Sequence, residues 1–268
     1  MKKTAKKDQL LQKLMCDEAR RIHAQLEQRV ERRTAELRAA ESEMDTFAYS
    51  ISHDLRAPLI HIGGFVDLLL EHTGPRLDEE GRHYLQRIAE STYKMGRMID
   101  EVLALSRMSR AEMHLMPLEL KGIVKEVMND VRSLTEGRRI IWVLGELPQV
   151  TADPNLLRTI LFHLVSNAVK FTRPREEARI ELGARQENGE TVCFVRDNGI
   201  GFDMKHRDKL FGVFQRLHAS AEFEGPGVGL AQVHRAVQRH GGRTWAEAAP
   251  DEGATFYFSL PDHPPADP

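Results

Sequence analysis

His53 and Asp54 are the pair in this sequence best suited to making and breaking a bond. An imidazole of ordinary pKa about 6.5 is mostly neutral near pH 7, so one ring nitrogen already carries a free lone pair. Deprotonation is no obstacle; tautomer and orientation are. A carboxylate beside the ring can accept the Nδ1 proton and leave Nε2 free to attack a phosphorus atom in line. Successive helical residues do not face each other, so this contact needs a bent side-chain path. Pro58, five residues on, would loosen the helix locally. Arg56 lies three residues from His53, on the same helix face, placed to steady a transferred phosphoryl group.

A second group of candidates lies far downstream. Between Pro154 and Phe171 the residues fall into two helical stripes. Leu157, Ile160, Leu161, Leu164, Val165 and Ala168 make an apolar face, while His163, Asn167 and Lys170 recur at i, i+4 and i+7. A core helix needs only the first stripe. The second sets an amide oxygen and an ammonium group along one line, which suits Mg²⁺ and phosphate, since Mg²⁺ keeps several waters and needs few protein ligands. Asp197 follows a strand pattern, and Gly199 and Gly201 would let backbone approach a ligand closely. A carboxylate there can accept from the adenine amino group, whereas guanine presents a carbonyl oxygen and is repelled. Gly225, Gly227 and Gly229 lead into a helix opening at Leu230, and backbone amides at a helix N-terminus bind anions. No GxxxxGK[ST] occurs, which excludes a P-loop.

These groups need elements to hold them. From Leu11 to Ile51 there is no Gly or Pro, and Met15, Ala19, Ile22, Leu26, Val30, Leu37, Ala40, Met44, Phe47 and Ile51 recur at steps mostly of three and four. That spacing predicts a coiled-coil seam running into the His53 helix, with a stutter at Ile22–Leu26–Val30. Gly74-Pro75 breaks the helix and Asp78 is placed to cap the next, whose apolar residues run from Tyr84 to Leu105. Two such αα-hairpins would close a four-helix bundle. Beyond Met113 the pattern mixes helices (Leu120–Val131, Pro154–Phe171, Val228–Arg239) with strands at Arg139–Leu144, Gln149–Thr151, Ala178–Ala184, Thr191–Arg196, Arg243–Glu247 and Thr255–Leu260, an α/β sandwich. The fold class is thus α+β. The expected segments are a coiled coil over 1–42, a hairpin over 43–112, an α/β domain over 113–262 and a disordered Pro/Asp-rich tail over 263–268.

Composition narrows the partners. The 268 residues carry 38 Lys+Arg against 40 Asp+Glu, so no global field points to nucleic acid. Cys16 and Cys193 are too few for a disulfide framework or a zinc site, which fits a reducing compartment. No apolar run is long enough to span a bilayer, and the reading is of a cytoplasmic protein.

In order and spacing the boxes resemble those of the sensor histidine kinases, from about Glu43 to Pro261. Ser52-His53-Asp54-Leu55-Arg56-Ala57-Pro58-Leu59 resembles their phospho-acceptor box, Asn167 the Mg²⁺-binding asparagine of the N-box, Asp197-Asn198-Gly199-Ile200-Gly201 the G1 box, and Gly225-Pro226-Gly227-Val228-Gly229-Leu230 the G2 box. Leu210-Phe211-Gly212-Val213-Phe214-Gln215-Arg216 resembles the F-box and its ATP lid. Phe47–Leu59 and Gly241–Glu247 are in the style of bacterial phytochromes and PAS-linked kinases. The resemblance implies a Bergerat-type nucleotide fold and a homodimer. It implies a site for ATP and Mg²⁺ made by Asn167, Lys170, Phe171, Asp197, Gly199, Gly201, Phe211, Phe214, Gly225, Gly227, Gly229, Leu230 and Thr255, with Phe211 and Phe214 anchoring the lid by burial and Arg216 reaching the γ-phosphate. His53 would be the acceptor and Asp54 its base. The partners implied are a response-regulator receiver domain and an upstream cytoplasmic sensor. Three positions depart from the pattern: His163 replaces an asparagine, Pro226 a threonine, and Ala57 the hydroxyl or amide that many members use to dephosphorylate their regulator. An ATP-binding conformational switch, and a coiled-coil scaffold with an inactive kinase domain, are the alternatives.

Overall fold

The computed structural model describes residues 2–262 except 216, 218–222 and 224; the side chains of 2–20, 24, 37–38, 41–42, 44–45, 47–48, 75 and 109–110 are outside the description. The expectations for Arg216, for the tail 263–268 and for the seam side chains of Met15, Ala19, Leu37, Met44 and Phe47 therefore lie outside the described residues. The chain divides into two compact units, Met1–Ile51 and Ser52–Pro268.

The first unit is helical, as a stretch without Gly or Pro allows, and belongs to α1 (Lys2–Thr73). Its seam residues Ile22, Leu26 and Val30 project into solvent.

The second unit opens with the remainder of α1, a short 3₁₀ turn (Gly74–Arg76) and α2 (Glu79–Arg110). Asp78 caps α2, accepting from the Gly81 N–H at 2.8 Å. Ser52, Val66, Thr92, Ile99 and Leu103 are buried along the hairpin, and Arg56 of α1 forms an ion pair with Asp100 of α2. Leu55, Ile60, Phe65 and Leu68 of α1, and Tyr84, Ile88, Tyr93 and Met95 of α2, are exposed. Covering a side chain of this kind is worth roughly 1.5–3 kcal/mol.

The α/β part follows as β1 (Met116–Glu119), α3 (Leu120–Asp130), β2 (Arg139–Leu144), β3 (Gln149–Ala152), α4 (Pro154–Phe171), β4 (Glu177–Glu187), β5 (Glu190–Asp197), α5 (Gly229–Arg239), β6 (Thr244–Ala249) and β7 (Gly253–Pro261). The main sheet runs β2-β4-β5-β7-β6, with β2–β4 parallel and the other pairs antiparallel. Strand β1 escaped the sequence reading because Pro117 interrupts it and only Leu118 is even half-buried; it pairs with β3 alone. Strands β4 and β5 run longer than expected because Asn188 (φ 49°) and Gly189 (φ 80°) form the tight turn that lets the ladder continue to its end. Alternate strand residues, among them Ile180, Leu182, Val195, Phe256 and Phe258, meet Leu157, Ile160, Leu164, Val233 and Val237 of α4 and α5 in the core. Helix α5 also meets the hairpin: Gln232 Nε2 donates to the Glu101 carbonyl at 3.1 Å and Arg239 Nη1 to the Met108 carbonyl at 2.7 Å.

Candidate functional site

One cavity of about 360 Å³ lies among α4, the ends of β5 and β7, the glycine segment before α5, and α2. Helix α4 is fixed at its start by Asp153, whose Oδ1 accepts from the Asn155 and Leu156 N–H groups at 2.9 and 3.0 Å. The Asp153 N–H in turn donates to buried His240 Nε2 at 3.0 Å, so this histidine is a core strut. The two stripes of α4 separate as their spacing requires. Leu157, Ile160, Leu164 and Val165 enter the core, whereas His163, Asn167 and Lys170 face the cavity.

At the closed end Asp197 is 5% exposed, and burial pushes its carboxyl up to about 6 despite backbone donors at Gly199 and Ala254. Gly199 N–H donates to Asp197 Oδ1 at 2.8 Å, and a carboxylate with about four lone-pair sites keeps acceptor capacity for a partner in the cavity beyond its two backbone donors. Phe171, Phe202, Phe223 and Phe256 supply flat apolar walls, with Phe171 and Phe223 in ring contact at 5.1 Å. A half-apolar slot with one buried carboxylate suits a purine carrying an exocyclic amino group.

The opposite end is cationic. Lys170 Nζ stands 4.3 Å from the Phe171 ring centroid and 3.7 Å from where a Cβ on Gly225 would lie. Gly225, Gly227, Gly229 and Leu230 line this end, where the first amides of α5 open toward the cavity. Gly225 and Gly227 have φ of 129° and 78°, conformations glycine alone adopts readily. Pro226, in the place of the usual threonine, is buried and lines the same wall. His163, in the place of an asparagine, is half-buried. Its Nε2 meets Gln232 Oε1 at 2.5 Å, and its Nδ1 would lie 2.8 Å from a Cβ on Gly229.

The acceptor candidates sit elsewhere in the same unit. His53 Nδ1 and Asp54 Oδ1 are 3.3 Å apart, both side chains well exposed, so the bent path between helical neighbours is made. Pro58 lies within α1 and cannot bond the Asp54 carbonyl. Neither His53 nor Asp54 lines the cavity, and Arg56 is paired with Asp100.

Several expectations change with the fold in view. Gly199 packs against α4 and not against the cavity: a Cβ there would sit 2.6 Å from the Phe171 carbonyl. Gly201 (φ 57°) does line the cavity, but its bareness answers to the Ala249 carbonyl, 1.9 Å from a notional Cβ. Thr255 is not in the cavity wall; it accepts from Arg196 Nε at 3.2 Å on the other face of the sheet, while its neighbours Ala254 and Phe256 line the site. Phe211 packs against the core beside His234, whereas Phe214 (φ 61°) is 53% exposed and anchors nothing by burial. Leu210, Gln215, Leu217 and Phe223 of that segment are the ones in the wall. Sequence reasoning also passed over Arg175, which donates to the Asn198, Gly199 and Asp251 carbonyls at 2.7 to 2.9 Å and so pins the loop below Asp197. A lone arginine beyond a helix end carries no local signal of that role.

Residues 43–111 match the family described as His Kinase A (phospho-acceptor) domain, and residues 152–264 match the histidine kinase-, DNA gyrase B-, and HSP90-like ATPase. The chain belongs to the sensor histidine kinases. It is their transmitter module, the phospho-acceptor hairpin followed by the nucleotide-binding sandwich. Among its relatives is the methanogenesis regulatory histidine kinase FilI of Methanothrix harundinacea, 36% identical over 87% of this chain and 26% of that protein. Cyanobacterial phytochrome A of Nostoc sp. is 34% identical over 84% of this chain and 29% of that one. The full-length ShkA crystal structure in complex with AMPPNP is similar with a TM-score of 0.61, at 29% identity over 82% of this chain and 46% of that one. The chain thus spans about a quarter to a third of the length of these two curated relatives. No helix among the described residues is long and apolar enough to cross a membrane.

Proposed function

We propose that this module is an ATP-dependent protein histidine kinase that phosphorylates His53 and passes the phosphoryl group to an aspartate of a receiver domain. What carries the reading is the presence in one chain of an exposed His53–Asp54 pair and a cavity with a buried carboxylate at one end and Lys170 with the α5 N-terminus at the other. Adenine would lie toward Asp197 and the phosphates toward Lys170, Gly227 and Gly229. Mg²⁺ fits this donor set. Asn167 offers an amide oxygen on the wall beside Lys170, and among the described residues no group of three ionisable ligands competes for the ion. The ion would neutralise phosphate charge; Asn167 and the phosphate oxygens would hold it.

In the transfer the Nε2 lone pair of His53 forms the N–P bond as the bond from the γ-phosphorus to the β,γ-bridging oxygen breaks, and that electron pair leaves on ADP. Asp54 holds Nδ1–H before attack and accepts its proton as the ring becomes cationic. Because His53 lies outside the cavity wall, transfer requires a different seating of the nucleotide domain or the His53 of a second copy. The exposed hairpin residues, Ile60 and Phe65 among them, suit a homodimeric four-helix bundle, continued by a coiled coil over 1–42. We place an upstream sensor before this module and the module in the cytoplasm, in keeping with the regulatory and phytochrome names of the relatives. Incubation with γ-labelled ATP tests the core of the reading. Label should appear that is acid-labile and base-stable, and His53→Gln should abolish it with nucleotide binding intact. Label retained in that variant would defeat the assignment.

A further inference from the structure

Helix α2 belongs to the hairpin, yet its Arg97 and Glu101 stand in the wall of the nucleotide cavity with Asn167, Lys170 and Gly229. Gln232 holds them there. Its buried amide donates through Nε2 to the Glu101 carbonyl at 3.1 Å and accepts through Oε1 from His163 Nε2 at 2.5 Å. With both ends committed, the amide can face only one way, and His163 must carry its proton on Nε2. His163 in turn rests against Gly229. A continuous line of contacts therefore runs from the first turn of α5, where phosphates would bind, to the backbone of Glu101.

Glu101 is half-buried, and burial pushes its carboxyl pKa up against the opposing pull of Arg97 and then Lys170. The ammonium group that nucleotide phosphates would use is thus already within the field of a protein carboxylate. We propose that Glu101 is a resident anion at the phosphate end of the cavity, competing with the terminal phosphate of a nucleoside triphosphate for Lys170 and the α5 amides, so that the docked hairpin sets the site's preference for phosphate number. This rests on the nucleotide reading above. A triphosphate brings more negative charge into the cavity that Glu101 lines than a diphosphate does, and like charges repel more strongly in a partly dry wall than in water. The effect is reciprocal by linkage: a bound triphosphate weakens the seat of α5 on α2 as much as that seat weakens the triphosphate.

Calorimetry on the full chain with Mg²⁺, ADP and a non-hydrolysable ATP analogue tests this in the unaltered protein and in Glu101→Gln, Gln232→Ala and the double variant. Glu101→Gln keeps the size of the side chain and removes its charge. Triphosphate affinity should rise on the order of tenfold, with ADP affinity moving less than about twofold. Gln232→Ala should raise triphosphate affinity similarly, and the double variant should gain no more than either alone, because both remove the same carboxylate from the wall. Equal gains for both nucleotides, no gain, or additive gains overturn the proposal. Gln232 is buried and its loss endangers α5, so if that variant unfolds the Glu101→Gln result decides by itself. An unaltered chain that binds neither nucleotide overturns the nucleotide reading, and this inference with it.

Discussion

His53 Nδ1 lies 3.3 Å from Asp54 Oδ1, although the two are neighbours on one helix whose side chains ordinarily diverge. Both are exposed, so the contact contributes little to stability. Its consequence is chemical. Asp54→Asn keeps the shape but cannot take the Nδ1 proton. The initial rate of labelling from γ-labelled ATP should fall by about 10²–10⁴-fold, while melting temperature and nucleotide affinity stay unchanged. A rate within a factor of a few of the original would remove Asp54 from the role of base.

Asp197 couples stability to pH with a sign opposite to that of a salt-bridged carboxylate. Its pKa is pushed up to about 6 in the folded state, against 3.8 ordinarily. Between those values the folded chain holds a proton that the unfolded chain has lost. Stability therefore declines as pH rises through that window, and the full cost is present above about pH 6. Asp197→Asn should then stabilise the apo protein at pH 7 by about 1–3 kcal/mol in denaturant unfolding and lose most of its affinity for adenine nucleotides. In the unaltered chain adenine affinity should decline below pH 6 as the acceptor is protonated, beyond whatever pH dependence the Asn variant retains. A variant that is destabilised at pH 7, or that binds as before, contradicts this account.

Gly201 and Gly64 give a contrast within one chain. A Cβ at Gly201 would lie 1.9 Å from the Ala249 carbonyl, at φ 57°, whereas one at Gly64 on α1 meets nothing within 4 Å. Gly201→Ala should destabilise the nucleotide domain by more than about 3 kcal/mol, since backbone must move. Gly64→Ala should stabilise its helix by roughly 0.5–1 kcal/mol. Thermal melts of the two variants should shift in opposite directions.

Ala57 occupies the position one helical turn beyond His53, where a hydroxyl or amide would orient a water toward a phosphorylated receiver. A methyl group neither donates nor accepts. Phosphorylated receiver mixed with the module, ADP and Mg²⁺ should decay at little more than its own rate, and Ala57→Thr or Ala57→Asn should accelerate the decay several-fold. Strong acceleration by the unaltered chain would mean that another residue places the water.

Most elements, β1 excepted, could be read from local patterns in the chain. Helix α4 was legible to the residue because its two stripes are local facts: 3.6 residues per turn separate Leu157 and Leu164 from Asn167 and Lys170 whatever surrounds them. Asp197 at a strand end, the glycines before α5 and the Asp78 cap are local in the same sense. What lay outside this reach depended on which surfaces meet. The family pattern points to Thr255 as a site residue, but in a strand a shift of one position changes the face, and the pairing of β7 with β5 and β6 turns Ala254 and Phe256 inward instead. The glycines of the Asp197 loop are bare because of the Phe171 and Ala249 carbonyls, which come from far away in the chain. Gln232, Glu101 and Arg175 have no periodicity or neighbour that marks them. Their roles arise when α5 docks on α2 and the β6–β7 turn closes over the loop, contacts between residues distant in sequence that no local pattern encodes.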